Sequence, residues 1–407
     1  MRNVLFVAPF PLETTLRFAR AAARLSGVRL LGIGQELVRG ESRAAFADQV
    51  QVADGLDTRQ LIEAARLLER RHGRLHRVLG ILEPLQVQLG ELRRALGVPG
   101  TDPATADLFR DKARMKDELR RHGLPCARHR LIRSWADAEA FVAEVGFPVV
   151  LKPPAGMGCT ATWRVRGADE LRAALSAIHA SPERPALAEE LLRGQEHSFE
   201  TITVGGVPQA WSVANYQPGC LEVLENPWIQ WACVLPREVD APACQRAREM
   251  GFAAIAALGL EDGMTHMEWF EQADGRLAIG EIAARPPGAQ LLHMTGVVHD
   301  IDIYRAWARA VVHGVLDAPW RRKYAAGCAY VRGMGSGRVA AVTGVRETHE
   351  AVGQWLVEAK LPTLGAAKND SYEGDGYVMV RHESTAKVQA MIKTIVETLK
   401  IHYAREG

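Results

Sequence analysis

The segment Met267–Glu281, MEWFEQADGRLAIGE, is the most informative stretch of the chain. Asp274-Gly275 is a two-residue hairpin signal, since both central positions of such a turn need a positive φ. With the turn at those residues, Glu268 lies directly opposite Glu281, their β-carbons about 4.5–5.5 Å apart on one face of the sheet. Facing carboxylates repel each other unless something neutralises them. The segment therefore predicts a strand pair that presents two acidic side chains to a common partner.

Two interpretations of this carboxylate pair carry equal weight when it is considered alone. In the first, a hard divalent cation, most often magnesium together with phosphate, lies between the carboxylates. In the second, one glutamate bends to solvent or pairs with a nearby arginine. Arg285 follows Glu281 by four residues, at the start of Arg285-Pro286-Pro287-Gly288. A rigidly held guanidinium there suits a fork for a substrate carboxylate or phosphate, and a salt bridge to the glutamate pair is its other role.

Upstream of the hairpin, a strand followed by a glycine loop indicates phosphate binding. Lys152 lies in the apolar stretch Phe147–Pro153, and the loop after it contains Gly156 and Gly158. Small residues let backbone N–H groups approach phosphates, and a strand lysine places positive charge near them. The spacing is not that of a P-loop, and two glycines alone are more often an ordinary turn.

A second acidic segment, Ala186–Glu196 (ALAEELLRGQE), reads as a strand that enters a hinge. Its carboxylates could accept hydrogen bonds from an adenine amino group or a ribose diol. For any one of these glutamates taken alone, a solvated acidic strand end is the better interpretation. Before these segments, one helix is expected from about Pro103 to His122.

Composition excludes several classes of protein. Lys plus Arg number 50 and Asp plus Glu number 48 among 407 residues, so electrostatics give no reason to expect nucleic acid or a membrane as partner. The six cysteines contain no C-x-x-C pair, which predicts neither a zinc site nor a disulfide framework. Residues 3–8 are too short for a signal peptide, and no stretch approaches about 18 uncharged apolar residues. We therefore expect a cytoplasmic protein.

The segment 206–240 carries Trp211, Trp228 and Trp231 but few periodic patterns. These tryptophans could line a substrate entrance. Amphipathic packing at the edge of a subdomain is the plainer interpretation and the one we favour.

In their order along the chain, these elements resemble the ATP-grasp superfamily over roughly residues 76–335. The family's lysine on the helix before the strand matches Lys112, and its metal carboxylates match Glu268 and Glu281. The resemblance assigns nucleotide contacts to Lys112, Lys152, Gly156, Gly158, Cys159, Thr160, Glu189, Glu190, Leu192 and Glu196, the metal to Glu268 and Glu281, and catalytic roles to Arg285 and Lys152. Glu83 is a candidate for a substrate amino group on the resemblance alone, whereas His266 is expected to face away from Glu268 or to fill core.

The segment Gly80–Pro125 looks most like the branch that contains L-amino-acid ligases, which make dipeptides. The resemblance implies an α/β fold: a Rossmann-like N-terminal domain, a two-part ATP-grasp core and a C-terminal module. The implied domains are residues 1–100, 101–320 (with a lid over about 125–192) and 321–407. The implied cofactors are ATP and Mg²⁺, or Mn²⁺. The implied partners are a small-molecule carboxylate and an amine, joined through an acyl phosphate, and a homodimer is implied only because many relatives form one.

One departure from the family pattern affects the metal site. The family has Glu-x-Asn at the second metal position, whereas this chain has Glu281-Ile282-Ala283, and alanine cannot bind a metal. Two alternatives to a ligase therefore stay open. One is an ATP-grasp carboxylase acting through carboxyphosphate, and the other is a non-catalytic nucleotide-binding homologue.

Overall fold

The computed structural model describes residues 1–156 and 161–404. Residues 1–100 form a parallel four-stranded sheet, in the order β3-β2-β1-β4, that packs between helices. The elements are β1 (Arg2–Val7), α1 (Glu13–Ala23), β2 (Val28–Gly34), β3 (Asp48–Gln51), α2 (Thr58–His72), β4 (Leu75–Leu79) and α3 (Gln86–Leu96), with short 3-10 turns at Gly40–Ala45 and Glu83–Leu85. This parallel arrangement agrees with the α/β fold that the resemblance implies.

The single helix expected from Pro103 to His122 is wrong. Two helices are present, α4 (Pro103–Arg110) and α5 (Lys112–Arg121), and Asp111 separates them with an extended backbone. The Asp111 carboxylate accepts the N–H groups of Ala113 (2.9 Å) and Arg114 (3.1 Å), which caps α5. The break places Lys112 in the first turn of the second helix.

A small antiparallel sheet follows, in the order β5-β8-β6-β7. Its elements are β5 (His129–Ile132), α6 (Trp135–Val145), β6 (Val149–Lys152), β7 (Trp163–Val165), α7 (Ala168–Ile178) and β8 (Ala186–Glu190). Val149, Leu151 and Ala188 are buried against the two helices. This packing leaves Lys152, the last residue of β6, at the end of the sheet beside the loop that begins at Pro153.

An eight-stranded antiparallel sheet forms the largest layer, in the order β13-β12-β9-β10-β11-β14-β17-β16. The remaining elements are β9 (Gln195–Val204), β10 (Val207–Gln217), α8 (Cys220–Glu225), β11 (Trp231–Leu235), α9 (Pro242–Leu258), β12 (Gly263–Glu271), β13 (Leu277–Ala283), α10 (Leu291–His299), α11 (Ile303–His313), β14 (Ala325–Val331), β15 (Arg338–Thr343), α12 (Val345–Val352), β16 (Leu356–Lys360), β17 (Gly376–His382), α13 (Thr385–Thr398) and β18 (Lys400–Ala404). Three strands beyond residue 320 thus belong to the same sheet as the core strands, and β15 pairs separately with β18.

The tryptophans of the segment 206–240 have three different environments. Trp211 stacks on Phe199 at one face of the large sheet, and Trp228 is 63% exposed. Trp231 is buried in the wall of a cavity that is described below. Neither interpretation of this segment therefore describes all three. No helix within the described ranges is both long and apolar enough to span a membrane.

Candidate active site

The two predicted metal carboxylates face each other on the hairpin of β12 and β13. Glu268 and Glu281 are direct cross-strand partners, as the sequence predicts. Both line one cavity and are only partly exposed, at 29% and 21% of their side chains. The hairpin therefore holds two negative charges side by side at the end of the large sheet.

The turn that makes this pairing differs from the predicted one. Gly275 donates to the Gln272 carbonyl (2.8 Å) and Gln272 donates to the Arg276 carbonyl (2.9 Å), so three residues form the loop and Gly275 alone of them has a positive φ. The extra loop residue shifts the pairing, so that Glu271 lies opposite Leu277. A bulge at Gly280 then returns the register to the predicted one.

Lys112 lies against one of these carboxylates. Its Nζ is 3.0 Å from Glu281 Oε1 and donates to the Gly156 carbonyl at 2.8 Å. Burial would raise the pKa of Glu281, but the positive charges of Lys112 and then Lys152 outweigh it and lower that pKa to about 2. Helix α5 thus brings a positive charge to the carboxylate pair and to the start of the glycine loop.

Lys152 lies on the other side of the site and pairs with Glu189, at 2.9 Å from Nζ to Oε2. Burial alone would lower the pKa of Lys152, but the attraction of Glu189 and Glu281 outweighs it and raises the pKa well above its usual value. The lysine therefore stays charged at neutral pH, as a group that holds phosphate must.

The Glu189 carboxylate is not free to meet an adenine. Besides Lys152, it pairs with Lys116, whose Nζ is 3.3 Å from Oε1. Lys116 is fully buried and also donates to the Gly280 carbonyl. The Glu190 carboxylate pairs with Arg128 (2.8 Å). Either carboxylate would have to give up an ion pair in order to bind a nucleotide.

Sequence reasoning missed Lys116, although a signal was present. It lies four residues after Lys112, so both lysines occupy one face of α5. The face that carries Lys112 therefore also carries Lys116. A second lysine buried on that face needs a carboxylate as its partner, and Glu189 is that partner.

Glu196, assigned to the ribose, lies on β9 beside the carboxylate pair. Its Oε2 accepts the Cys220 N–H at 3.1 Å. Burial, and then repulsion by Glu268, raises the pKa of Glu196 to about 8. Leu192 lies in the link between β8 and β9, whereas Gly158, Cys159 and Thr160 lie outside the described residues.

Arg285 pairs with Glu83 rather than with the metal carboxylates. Its Nε is 2.8 Å from Glu83 Oε2, and Arg110 approaches the other oxygen at 2.9 Å. Burial would lower the pKa of Arg285, but Glu83 more than offsets this effect. Glu83 was a candidate for a substrate amino group, and its carboxylate instead lies between two guanidinium groups.

The expectation that His266 faces away from Glu268 is wrong. Its Nδ1 is 2.9 Å from Glu200 Oε1 and its Nε2 is 3.8 Å from Glu268 Oε1. Residues two apart on a strand share a face, and the alternation of β12 puts His266 beside Glu268. The imidazole therefore joins a buried glutamate to one member of the carboxylate pair.

These side chains meet in a cavity of about 540 Å³. Glu268, Glu281, Lys112 and Lys152 lie in its wall together with Arg285. The same cavity extends to residues of α1, α10, α11 and the loop before β17, among them Arg17, His293, Tyr304, Tyr372 and Glu373. Residues from the N-terminal region, the carboxylate hairpin and the segment beyond residue 320 therefore line one cavity.

The donor set fits a hard divalent cation bound through a phosphate ligand. In the described part of the chain, no group of three or more His, Cys, Asp or Glu is arranged to hold a metal by itself. Magnesium is commonly bound by one or two carboxylates, with phosphate oxygens and water as the other ligands. Glu268 and Glu281 supply that minimum, and Ala283 at the end of β13 adds no ligand.

The architecture is an ATP-grasp fold, in which two antiparallel sheets carry lysines and carboxylates to one cavity and a parallel sheet lies N-terminal to them. Residues 117–298 match the ATP-grasp domain family. This part of the chain is an ATP-grasp domain, in agreement with the resemblance that the sequence motifs indicate.

Relatives with known names are distant in sequence. An L-arginine-specific L-amino acid ligase of Bacillus subtilis is 23% identical over 266 residues, which cover 64% of this chain and 63% of the relative. A carbamoyl phosphate synthase large chain of Mycobacterium tuberculosis is 29% identical over 212 residues, 51% of this chain and 18% of the relative. The matched region is thus less than two thirds of either relative.

A solved structure shares the whole fold. The L-amino acid ligase from Bacillus licheniformis superposes with a TM-score of 0.81, covering 100% of this chain and 99% of the other at 18% identity. The α/β fold predicted from the sequence, with its parallel N-terminal sheet and antiparallel core, is therefore confirmed.

Proposed function

We propose that this chain is an ATP-dependent carboxylate–amine ligase that forms an amide bond through an acyl phosphate. The observation that carries the proposal is the single cavity that Lys112, Lys152, Glu268, Glu281 and Arg285 share. Similarity to L-amino acid ligases supports an amino acid or another small carboxylic acid as the activated substrate.

The reaction requires phosphate transfer before amide formation. A substrate carboxylate oxygen bonds to the γ-phosphorus of ATP, and the bond from that phosphorus to the β-bridging oxygen breaks to release ADP. The amine nitrogen then attacks the acyl carbon, phosphate leaves with the former carboxylate oxygen, and the amine loses a proton to solvent. Phosphoryl transfer depends chiefly on positioning and charge stabilisation.

The side chains of the site divide these tasks. Lys112 and Lys152 hold the nucleotide phosphates by charge, and the latter stays protonated because Glu189 and Glu281 surround it. Glu268 and Glu281 would hold a magnesium ion, which neutralises charge on the transferring phosphoryl group. No side chain of the protein needs to form a covalent bond in this scheme.

Arg285 binds the reacting carboxylate. Its Nε is committed to Glu83 and its Nη1 donates to the Pro286 carbonyl at 3.1 Å. These two contacts fix the guanidinium plane, and the remaining N–H groups are available to the substrate. The same donors stabilise the oxyanion when the amine adds to the acyl phosphate.

Product identification tests this proposal. The protein is incubated with ATP, magnesium and pooled amino acids, and nucleotides and condensed products are identified by mass spectrometry. ADP together with a new amide supports the ligase. AMP with pyrophosphate contradicts the acyl phosphate route, and ADP that forms only when bicarbonate is present supports a carboxylase instead. Unchanged ATP with every acid, amine and bicarbonate tested favours a non-catalytic homologue.

A further inference from the structure

Glu373 is a carboxylate in the cavity wall that the mechanism above does not use. It follows Tyr372 in the link between β16 and β17 and lines the same cavity as Glu268 and Glu281. The other cavity carboxylates have cationic neighbours: Glu83 has two arginines, Glu281 has Lys112 and Glu268 has His266. Within residues 1–156 and 161–404, no lysine, arginine or histidine forms an ion pair with Glu373.

The lack of a cationic partner for Glu373 matters because this carboxylate is partly removed from water. Removal from water raises the pKa of Glu373, and no positive charge on residues 1–156 or 161–404 offsets this effect. A half-buried carboxylate without a cationic partner is destabilising, and a cation that binds beside it removes much of that cost. The position therefore favours a positively charged ligand group.

Aromatic rings line the part of the cavity next to Glu373. Trp231 makes edge-to-face contacts with Tyr216 (5.3 Å between ring centroids) and with Tyr372 (4.7 Å). All three rings contribute to the cavity lining. Aromatic faces attract ammonium and guanidinium groups and also pack on their methylene stems. The ring cluster and the carboxylate thus suit the same kind of ligand, an aliphatic chain that ends in a cation.

Glu373 lies in the loop that leads into β17, which is paired with β14 in the large sheet. The thiols of Cys233 on β11 and Cys328 on β14 are buried, which raises their pKa values, and the negative charge of Glu373 raises both further. Arg285 follows β13, at the end of the same sheet. A ligand with an anionic end and a cationic end therefore has a recognition group for each within one cavity.

We propose that Glu373 recognises a cationic side chain on the acid that this chain activates, so that the preferred acid is a basic amino acid. This assignment rests on the proposed function. Arg285 receives the reacting carboxylate, Glu373 receives the side-chain amine or guanidine, and Trp231 and Tyr372 contact the aliphatic stem.

Binding and turnover are measured separately to test this assignment. Arginine and citrulline have nearly the same shape and the same α-amino group, but only arginine has a charged side chain. Each is titrated calorimetrically into the full chain with magnesium and a non-hydrolysable ATP analogue. We expect arginine to bind about 10- to 100-fold more tightly, the range for one charge-assisted hydrogen bond. The pair lysine and norleucine repeats the comparison for a ligand whose side chain ends in an ammonium group instead of a guanidinium group.

The variant Glu373→Gln keeps the shape of the side chain and removes its charge. It should reduce the preference for arginine to less than about threefold, since a neutral amide does not favour a cation over its isostere. Glu249→Gln, at an exposed position on α9, is the matched control and should keep the wild-type preference. Thermal unfolding and affinity for the ATP analogue verify that the variants are folded.

Equal binding of arginine and citrulline by the wild type would overturn the role of Glu373, even if the variant did not fold. So would a preference that survives in Glu373→Gln. Selective binding of arginine without ADP formation for any amine would contradict the proposed ligase and leave the recognition role in place.

Discussion

Glu189 joins two lysines from different elements, with Oε1 at 3.3 Å from Lys116 Nζ and Oε2 at 2.9 Å from Lys152 Nζ. All three side chains are at most 14% exposed. The pKa of Glu189 is lowered because the two lysines outweigh the effect of burial. This carboxylate therefore fixes the position of the strand lysine that we assign to phosphate.

Replacement of Glu189 by Gln should destabilise the protein strongly. Two buried ammonium groups lose their counter-charge, and loss of one partner of a buried ion pair costs about 3–5 kcal/mol. Urea denaturation measures this loss. Glu190→Gln is the control, since its pair with Arg128 is partly exposed and should contribute less than about 1 kcal/mol. Equal effects of the two substitutions would contradict the structural role of Glu189.

Neutralising either hairpin carboxylate should impair metal use. Glu268→Gln and Glu281→Gln each remove one oxygen ligand and one charge. We expect turnover to fall by about 100-fold or more, consistent with several kcal/mol of charge stabilisation. Mn²⁺ binding in the presence of ADP, followed by electron paramagnetic resonance, should weaken in parallel. Glu271→Gln, on the same strand but outside the cavity lining, should change neither quantity.

Arg285→Lys should impair use of the carboxylate substrate but not nucleotide binding. A lysine cannot hold Glu83 and the Pro286 carbonyl while it presents a planar fork. We expect kcat/KM for the acid to fall by about 100-fold, the equivalent of one or two charge-assisted hydrogen bonds. Steady-state kinetics should show ADP affinity within about threefold of the wild type. A selective loss of ADP affinity would place Arg285 at the nucleotide instead.

Acid should destabilise the fold through His299, which is 2% exposed. Its Nδ1 donates to the Thr295 carbonyl at 2.9 Å, and burial, then Arg322, lowers its pKa to about 4. The unfolded chain, with a histidine pKa of about 6.5, takes up the proton first as pH falls. Stability is therefore lost between about pH 6.5 and pH 4, by roughly 3 kcal/mol in all.

His299→Gln removes this titration and keeps a side-chain N–H donor. The free energy of unfolding, measured in urea at pH 7 and pH 4.5, should fall by about 2 kcal/mol less in the variant than in the wild type. Equal losses in the two proteins would show that His299 is not the titrating group.

The sequence predicted the carboxylate pair correctly for a partly wrong reason. Asp274 and Gly275 do lie in the turn, but the loop contains a third residue and Gly280 forms a bulge. Each irregularity shifts the register by one residue, and the two cancel. The pairing of Glu268 with Glu281 was therefore predicted correctly only because these two shifts cancel, since a shift of one residue alone would have moved them out of register.

Partners of the charged residues could not be predicted in the same way. The sequence places Glu189 at a strand end, but not the helix that brings Lys116 to it. It identifies Glu83 and Arg285 as candidates, yet about two hundred residues separate them along the chain. Such pairs depend on how helices and sheets pack, which local periodicity does not encode. His266 is different, because strand alternation would have placed it beside Glu268, whereas we expected it to face away.

Isotope transfer tests the central claim most directly. A substrate acid labelled with ¹⁸O in its carboxylate is incubated with ATP, magnesium and an amine, and the released phosphate is analysed by mass spectrometry. The acyl phosphate route predicts one ¹⁸O atom in each inorganic phosphate formed with an amide, and ADP as the nucleotide product. Unlabelled phosphate, or label recovered in AMP, would contradict it.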